Sequence, residues 1–246
     1  MVTAYDAPMA ALADEASIDV ILVGDSVGTT VHGFESTLPV TLDMMVLHTA
    51  AVSRVAKRPL VVADLPFMSY QVSPEQALES AARLVQEGGA SAVKIESCGE
   101  RTLPMIRAIV DTGIPVMGHI GLVPQSVHAL SGYRVQGRSE MNAEGLVTLA
   151  EKIEQAGAFS IVLELVTRET AQRVTEAVSV PTIGIGAGPE CGGQVLVLHD
   201  LLGLTPNPPK FARRYVDLRA GVLRAMRKYA RDVREHHFPG EEHSHE

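Results

Sequence analysis

Tryptophan is absent from the 246-residue chain, and only five tyrosines, five phenylalanines and two cysteines occur. Cys98 and Cys191 are too few for the disulfide framework of a small secreted protein and fit a reducing compartment. Long apolar runs are also missing, because Gly, Asp or Pro interrupts every stretch before the ~20 residues that a membrane span needs. The first residues, Met1 to Asp6, lack the basic and apolar regions of a secretory signal. We therefore expect a cytoplasmic protein with no membrane partner.

The charge is acidic overall and unevenly distributed. A net charge of −8 argues against general binding of nucleic acid, because phosphates attract basic surfaces. Residues 210–235 nonetheless carry nine Lys or Arg against three acidic residues, and apolar side chains recur there every three or four positions. This pattern predicts one basic helix over 210–235 that is solvated or packs against another subunit, with a site for an anionic ligand as the alternative. The His-rich segment 236–246 is expected to be a polar, mobile tail.

Short β-branched segments alternate with longer amphipathic ones through the whole chain. This alternation predicts a single α/β domain, residues 1–246, with a parallel sheet covered on both faces. An open doubly wound sheet also fits, but polar groups end nearly every strand, which favours a closed (β/α)₈ barrel whose strand ends meet at one mouth. The predicted strands are Val2–Tyr5, Val20–Gly24, Leu60–Asp64, Ala92–Glu96, Val116–His119, Ser160–Glu164, Thr182–Gly186 and Val195–His199.

Three carboxylates, Asp25, Asp64 and Glu96, end the second, third and fourth predicted strands. Neighbouring strands lie ~4.8 Å apart, so the three acids would crowd one side of the mouth. Such crowding requires shared protons or a cation. Oxygen ligands without cysteine favour a hard ion, Mg²⁺ first, with Mn²⁺ or Ca²⁺ as alternatives. The competing interpretation is that each acid caps the helix that follows it.

Three further titratable residues point to the same mouth. Lys94 precedes Glu96 by two positions, so both face the same way, either to pair with each other or to hold an anionic substrate group. Glu164 ends an apolar strand, where partial desolvation would raise its pKa and suit a general base; a buried ion pair with Arg168 is the alternative. His119, at the end of the fifth strand, is an acid–base candidate or a structural histidine.

Two long segments follow predicted strands, Gly24–Pro39 and Gly121–Glu140, and long loops at this face of a barrel are natural lids. The run from Gly184 to Gly188 resembles a phosphate loop, but Pro189 breaks the spacing of the dinucleotide motif. We interpret it as a place where the backbone approaches a flat ligand closely.

These residues stand in ordered motifs that together resemble the ketopantoate hydroxymethyltransferase family. The motifs are VGDS at 23–26, ADLPF at 63–67, VKIE at 93–96, GHIGLVPQS at 118–126, the segment from Tyr133 to Gly137 and GIGAG at 184–188. The resemblance runs from Thr3 into the C-terminal tail. It implies a (β/α)₈ barrel of the phosphoenolpyruvate/pyruvate-like superfamily with a C-terminal helix, and a cytoplasmic homodecamer that serves pantothenate biosynthesis.

The resemblance also implies a reaction. The expected activity is Mg²⁺-dependent transfer of a hydroxymethyl group from 5,10-methylenetetrahydrofolate to 3-methyl-2-oxobutanoate, giving 2-dehydropantoate. This is an aldol-type step through a metal-bound enolate. We hypothesise that His119 assists proton movement or orients the folate. By motif, the resemblance assigns Asp25, Asp64 and Glu96 to the metal, Asp25, Ser26, Asp64 and Lys94 to the substrate, and Glu164 to the role of catalytic base.

Two other classes of function stay open at this point. A Mg²⁺-dependent barrel of the phosphoenolpyruvate mutase/isocitrate lyase kind also forms enolates of 2-oxo acids. Those enzymes usually rely on a cysteine-bearing or otherwise distinct lid, and neither Cys98 nor Cys191 lies in a comparable loop. The second class is a non-catalytic barrel for assembly or ligand sensing. It is hard to reconcile with an intact acid trio accompanied by Lys94 and Glu164.

Overall fold

The computed structural model describes residues 1–129, 132 and 134–245. The predicted lid residues Ser131 and Tyr133 lie outside the described residues. The chain divides into two compact units, Met1–Val197 and Leu198–Glu246, and a single domain over 1–246 stays a prediction. In the part of the chain that is described, no helix is both long and apolar enough to cross a membrane.

Among the residues described, eight parallel strands form one sheet in which each strand pairs with the next along the chain. The sheet closes on itself, because Val2 pairs with Leu196 and the backbone N–H of Thr3 donates to the Leu196 carbonyl at 3.1 Å. The predicted (β/α)₈ barrel is therefore confirmed. Its strands are β1 (Val2–Thr3), β2 (Val20–Val23), β3 (Leu60–Asp64), β4 (Ala92–Glu96), β5 (Val116–Gly121), β6 (Ser160–Glu164), β7 (Thr182–Ile185) and β8 (Gly193–Gln194).

Helices follow the strands and begin at capping side chains. Ser73 accepts a hydrogen bond from the Gln76 backbone N–H at 3.2 Å, and Pro74 occupies the first turn, where its missing N–H costs nothing. Gly89 and Gly113 adopt the left-handed conformation just after two of the helices, as helix ends favour. The helices of the first unit are α1 (Ala7–Glu15), α2 (Val27–Thr30), α3 (Leu42–Ser53), α4 (Pro74–Gln86), α5 (Leu103–Val110), α6 (Glu140–Gln155) and α7 (Arg168–Ala177), with 3₁₀ turns at Glu100–Thr102 and Pro124–Ser126.

Alternation along the strands places the site above an apolar floor. A buried apolar cluster takes one residue from each of β2 to β6: Leu22, Val62, Ala92, Met117 and Val162. Side chains two positions apart on a strand face the same way. The next layer toward the carboxyl ends of these strands therefore consists of Gly24, Asp64, Lys94, His119 and Glu164.

The opposite face of β5 packs directly on a helix. A Cβ at Gly118 would lie 2.6 Å from Ile153 Cγ2 of α6, so only glycine allows this close approach. At the end of the same strand, Gly121 has φ +96° and its Cβ would lie 2.3 Å from the carbonyl oxygen of Glu164. These two glycines let β5 sit tightly between α6 and the end of β6, and so fix the strand that carries His119.

The structure corrects two predictions near the C-terminal end. The strand predicted over Val195–His199 is wrong, because β8 is limited to Gly193–Gln194 and Leu198–Leu201 forms a short helix, α8. The chain leaves the sheet once Leu196 has paired with Val2. The basic helix predicted over 210–235 begins later, because α9 spans Leu218–Arg234 and starts where Asp217 accepts a hydrogen bond from the Ala220 N–H at 3.0 Å.

The second unit ends in a segment that packs locally. None of the residues of α9 is buried within this chain. Beyond the helix, the Phe238 ring lies 5.6 Å from the Tyr229 ring and 5.0 Å from the His243 ring, measured between centroids. Residues 236–245 therefore turn back onto α9, where a loose tail was expected, and they include a 3₁₀ turn at Glu241–His243.

Candidate active site

The register of the barrel strands brings the predicted site residues to one mouth. Asp64 of β3 is paired with Lys94 of β4, and Glu96 of β4 is paired with His119 of β5. Each of these four residues is at most 5% exposed. The side chain of Glu164, at the end of β6, is 18% exposed, so it is the more accessible group to an incoming molecule.

Lys94 is the buried cation at the centre of the mouth. Its Nζ lies 3.1 Å from Asp64 Oδ1 and 3.0 Å from His119 Nδ1. The strand register thus pairs it with Asp64, in preference to its own strand neighbour Glu96. Burial alone would lower the pKa of Lys94, but the charges of Asp64, Glu96 and Asp25 outweigh it and raise the pKa. Lys94 therefore stays protonated and offers a fixed positive charge to an anionic group.

His119 connects Lys94 with Glu164. Burial, together with the positive charge of Lys94, holds the pKa of His119 well below its usual range, so the ring is neutral. An ammonium group can only donate, so Nδ1 accepts from Lys94 and the ring proton resides on Nε2. Nε2 lies 3.2 Å from Glu164 Oε2. Among the described residues Nε2 has no hydrogen-bond partner, so the ring N–H lies beside the Glu164 carboxyl group without donating to it.

Glu164 has the properties of a general base. Burial raises its pKa to about 7, and the charge of Lys94 opposes part of that rise. A base that titrates near neutral pH combines a useful deprotonated fraction with the strength to take a proton. The alternative ion pair with Arg168 is wrong, because the Arg168 guanidinium contacts Glu190 instead.

The acids of the mouth exceed the positive charge available to them. Burial, together with the charge of Asp64, raises the pKa of Asp25 to about 7. Burial, together with the charge of Asp25, raises the pKa of Glu96 well above its ordinary value. None of the three acids caps the helix that follows it. α2 begins after Ser26 and α4 after Ser73, and after Glu96 the caps are Gly99 for the 3₁₀ turn and Thr102 for α5. The helix-capping interpretation of the acid trio is therefore wrong.

Ser26 follows Asp25 at the start of α2. Its hydroxyl lies 2.8 Å from the Tyr5 hydroxyl, so the end of β1 holds the side chain in place. Asp25 is itself anchored through its backbone N–H, which donates to Asp64 Oδ2 at 3.0 Å. The predicted substrate contacts, Asp25, Ser26, Asp64 and Lys94, thus occupy adjoining positions at the ends of β2, β3 and β4.

Gln125, which carries no charge and was not among the predicted site residues, contacts two acids of the trio. Its side-chain Nε2 donates to Asp25 Oδ2 at 2.8 Å, and its backbone N–H donates to Glu96 Oε2 at 2.9 Å. The residue is 4% exposed. The sequence holds a signal that could have indicated Gln125. A long amide side chain directly follows Val123-Pro124 in the loop after His119, at a position where a residue that faces the core would normally be apolar.

The oxygen donors fit a hard divalent cation in chemistry and in charge. Carboxylate oxygens are the ligands that Mg²⁺ prefers, and a cation would relieve the repulsion that raises the pKa values of Asp25 and Glu96. Among the described residues, however, no three His, Cys, Asp or Glu side chains are arranged around one ready metal position. Gln125 and the Asp25 backbone donate hydrogen bonds to these carboxylates, and Lys94 forms an ion pair with Asp64. The three acids therefore lie at the same end of the barrel, where groups of the protein itself contact them.

A cavity of about 450 Å³ adjoins the mouth. It begins at Ser97 and Gly121, one residue beyond Glu96 and two beyond His119, and extends along α6. A Cβ at Gly145, in the middle of α6, would meet nothing within 4 Å. The wall combines apolar and hydrogen-bonding groups, including Val123, Met141, Leu146, Asn142, Glu100 and Lys152.

The family model and the similar proteins described below carry the name of one enzyme family. The model of the ketopantoate hydroxymethyltransferase family matches residues 1–241. The chain belongs to that family. It is 54% identical over 245 residues to the 3-methyl-2-oxobutanoate hydroxymethyltransferase of Thermotoga sp. (strain RQ2), covering 99% of this chain and 90% of the relative. It is 56% identical over 244 residues to the enzyme of the same name from Thermobifida fusca (strain YX), covering 99% and 87%.

Solved structures support the architecture of this family member. A 2,3-dimethylmalate lyase of the PEP mutase/isocitrate lyase superfamily superimposes with a TM-score of 0.62 over 97% of this chain and 83% of its own, at 20% identity. Phosphonopyruvate hydrolase gives a TM-score of 0.63 at 14% identity, covering 95% and 81%. At such identities the likeness concerns the fold alone, and it agrees with the predicted barrel.

Proposed function

We propose that this chain transfers a hydroxymethyl group to 3-methyl-2-oxobutanoate, forming 2-dehydropantoate for pantothenate synthesis. The donor in this proposal is 5,10-methylenetetrahydrofolate, the metal is Mg²⁺, and the enzyme is a cytoplasmic homodecamer. The observation that carries the proposal is the mouth itself: a charged Lys94 stands among buried acids, and Glu164, with a pKa of about 7, lies within reach of solvent. Membership of the family supports the reaction.

The binding groups follow from charge and from donor type. Asp25, Asp64 and Glu96 would hold Mg²⁺, which as a Lewis acid stabilises negative charge developing on a substrate oxygen. Lys94 would donate to the carboxylate of the 2-oxo acid, because a buried ammonium is most stable beside an anion. Ser26 would add a hydroxyl donor at the same end of the substrate.

Proton removal is the step assigned to Glu164. Its carboxylate takes the hydrogen from C3, and the electron pair of the broken C–H bond moves toward the 2-oxo group to give an enolate. His119 Nε2–H lies 3.2 Å from Glu164 Oε2, close enough that a small movement on substrate binding would let it donate to the carboxylate and pass the proton on. The methylene carbon of the folate then exchanges its two C–N bonds for a C–C bond to C3 and a C–O bond from water. The two folate nitrogens take up the proton removed from C3 and one proton from water, so tetrahydrofolate is the second product.

The folate would occupy the cavity that runs from Ser97 along α6. A pterin is a flat heteroaromatic ring with donors and acceptors on its edge, and small-molecule sites combine apolar walls with a few polar groups in this way. Leu146 and Met141 supply apolar surface, and Asn142 and Glu100 supply polar atoms. Since the cavity begins next to Glu96, the one-carbon unit would face the reacting carbon.

Product analysis tests the proposal. The purified chain is incubated with 3-methyl-2-oxobutanoate, Mg²⁺ and methylenetetrahydrofolate labelled in its methylene carbon. We expect the label in the hydroxymethyl group of 2-dehydropantoate, with activity lost on chelation by EDTA and restored by Mg²⁺. Absence of labelled product would refute the proposal, and cleavage of 2,3-dimethylmalate under the same conditions would favour the lyase alternative.

A further inference from the structure

We propose that Gln125 is a positioning residue: its side-chain amide orients the carboxylate of Asp25, while its backbone amide orients that of Glu96. This inference rests on the proposed function for the identity of the metal and the reaction. It assigns to an uncharged loop residue the task of holding two acids from different strands in one arrangement. The two contacts, of 2.8 Å and 2.9 Å, involve oxygens of residues that are 4% and 5% exposed.

The direction of the Gln125 amide is determined by its surroundings. Nε2 donates one hydrogen to Asp25 Oδ2 and the other to the Leu65 carbonyl at 3.0 Å. The Leu65 carbonyl can only accept, so a flipped amide would place its oxygen against that carbonyl oxygen. On the other side, Oε1 accepts from the Tyr70 hydroxyl at 2.8 Å and from Gln71 Nε2 at 3.1 Å. The side chain therefore has one stable orientation, and Asp25 Oδ2 must face it.

The contact to Glu96 is independent of the side chain at position 125. The Gln125 N–H lies in the 3₁₀ turn Pro124–Ser126, directly after β5, and donates to Glu96 Oε2. Tyr70, which is 1% exposed, also approaches the backbone carbonyl of Glu96 at 3.0 Å. Replacing the Gln125 side chain should thus release Asp25 and leave the donor to Glu96 in place.

Binding of Mn²⁺ to the full chain, measured by electron paramagnetic resonance without substrate, tests the proposal. Gln125→Met keeps the length of the side chain and removes both amide donors. We expect Mn²⁺ to bind ~10- to 100-fold more weakly to Gln125→Met, because partners that orient metal ligands typically contribute that much. The kcat of proton exchange at C3 of 3-methyl-2-oxobutanoate should fall by a larger factor than KM rises, since Asp25 is the one predicted substrate contact that the change releases.

Two further variants separate positioning from stability. Ser80→Ala removes another buried hydrogen bond from the same region, the 2.7 Å contact to the Ser69 carbonyl. It should lower thermal stability and leave Mn²⁺ affinity unchanged. Tyr70→Phe removes the donor to Gln125 Oε1 and touches no acidic side chain, so it should weaken Mn²⁺ binding by a smaller factor. In the double variant, Tyr70→Phe should weaken Mn²⁺ binding little beyond the effect of Gln125→Met alone, because both changes act on one hydrogen-bond network.

The outcomes are distinct. A Gln125→Met protein that unfolds at a lower temperature and binds Mn²⁺ as tightly as the wild type would overturn this proposal and leave the proposed function intact. A Tyr70→Phe protein whose weaker binding adds in full to that of Gln125→Met would also overturn it. A wild type that forms no labelled product would refute the proposed function, whereas a wild type that binds no Mn²⁺ would refute the metal assignment and this inference together.

Discussion

Glu164→Gln should stabilise the protein at alkaline pH while it removes the base. The pKa of Glu164 rises from an ordinary 4.5 to about 7 in the folded chain. Between these two values the folded state holds a proton that the unfolded state has released, so the free energy of unfolding falls as the pH rises. At ~1.4 kcal/mol for each pH unit, the cost of the charged carboxylate is about 3 kcal/mol at pH 8 and below about 1 kcal/mol at pH 5. Glutamine has the same shape and never carries this charge.

Urea unfolding at pH 5 and pH 8 measures the effect directly. We expect the free energy of unfolding of Glu164→Gln to exceed that of the wild type by about 3 kcal/mol at pH 8, and the two proteins to be nearly equal at pH 5. Glu169→Gln, at an exposed position of α7, is the matched control and should shift stability by less than ~0.5 kcal/mol at either pH. A Glu164→Gln protein that is no more stable than the wild type at pH 8 would refute the account of a desolvated base.

Three other changes have defined outcomes. Lys94→Met leaves Asp64 without its buried partner, so the free energy of unfolding in urea should fall by ~3–5 kcal/mol. Adding Asp64→Asn should recover most of that loss. A loss no larger than that of a surface substitution would contradict the ion pair. Gly145→Phe fills the cavity along α6, so steady-state kinetics should show at least a ~10-fold higher KM for the folate and an unchanged rate of exchange at C3. Glu144→Phe, at the neighbouring exposed position, is the control and should change neither quantity. His119→Ala should lower the kcat for exchange by on the order of 10²-fold, and unchanged kinetics would remove His119 from the site.

Local patterns in the sequence were enough to predict the barrel and most of its site. The strands β3, β4 and β6 have the predicted bounds, because each is a β-branched run that ends in a charged residue. Period-two alternation was also sufficient to place Lys94 and Glu96 on one face. The partner of Lys94 could not be predicted in this way, since its contact with Asp64 depends on the register between two strands.

The failures have physical causes of the same kind. Val195–His199 begins with four apolar residues, as a buried strand would, yet the closing contact between Leu196 and Val2 uses only one residue pair before the chain turns into α8. The apolar spacing before Leu218 continues that of α9, but the side chain of Asp217 caps the helix and fixes its start. Gln125 has no charge, and its importance depends on two acids that are 29 and 100 residues away in the sequence.

The mouth is proposed to convert a branched 2-oxo acid into a carbon nucleophile. Proton NMR of 3-methyl-2-oxobutanoate in D₂O, with enzyme and Mg²⁺ and without folate, follows this step alone. We expect the C3 hydrogen signal to disappear with the wild type and to persist with Glu164→Gln or in the presence of EDTA. A signal that persists with the Mg²⁺-supplied wild type, or that disappears equally fast with Glu164→Gln, would contradict it.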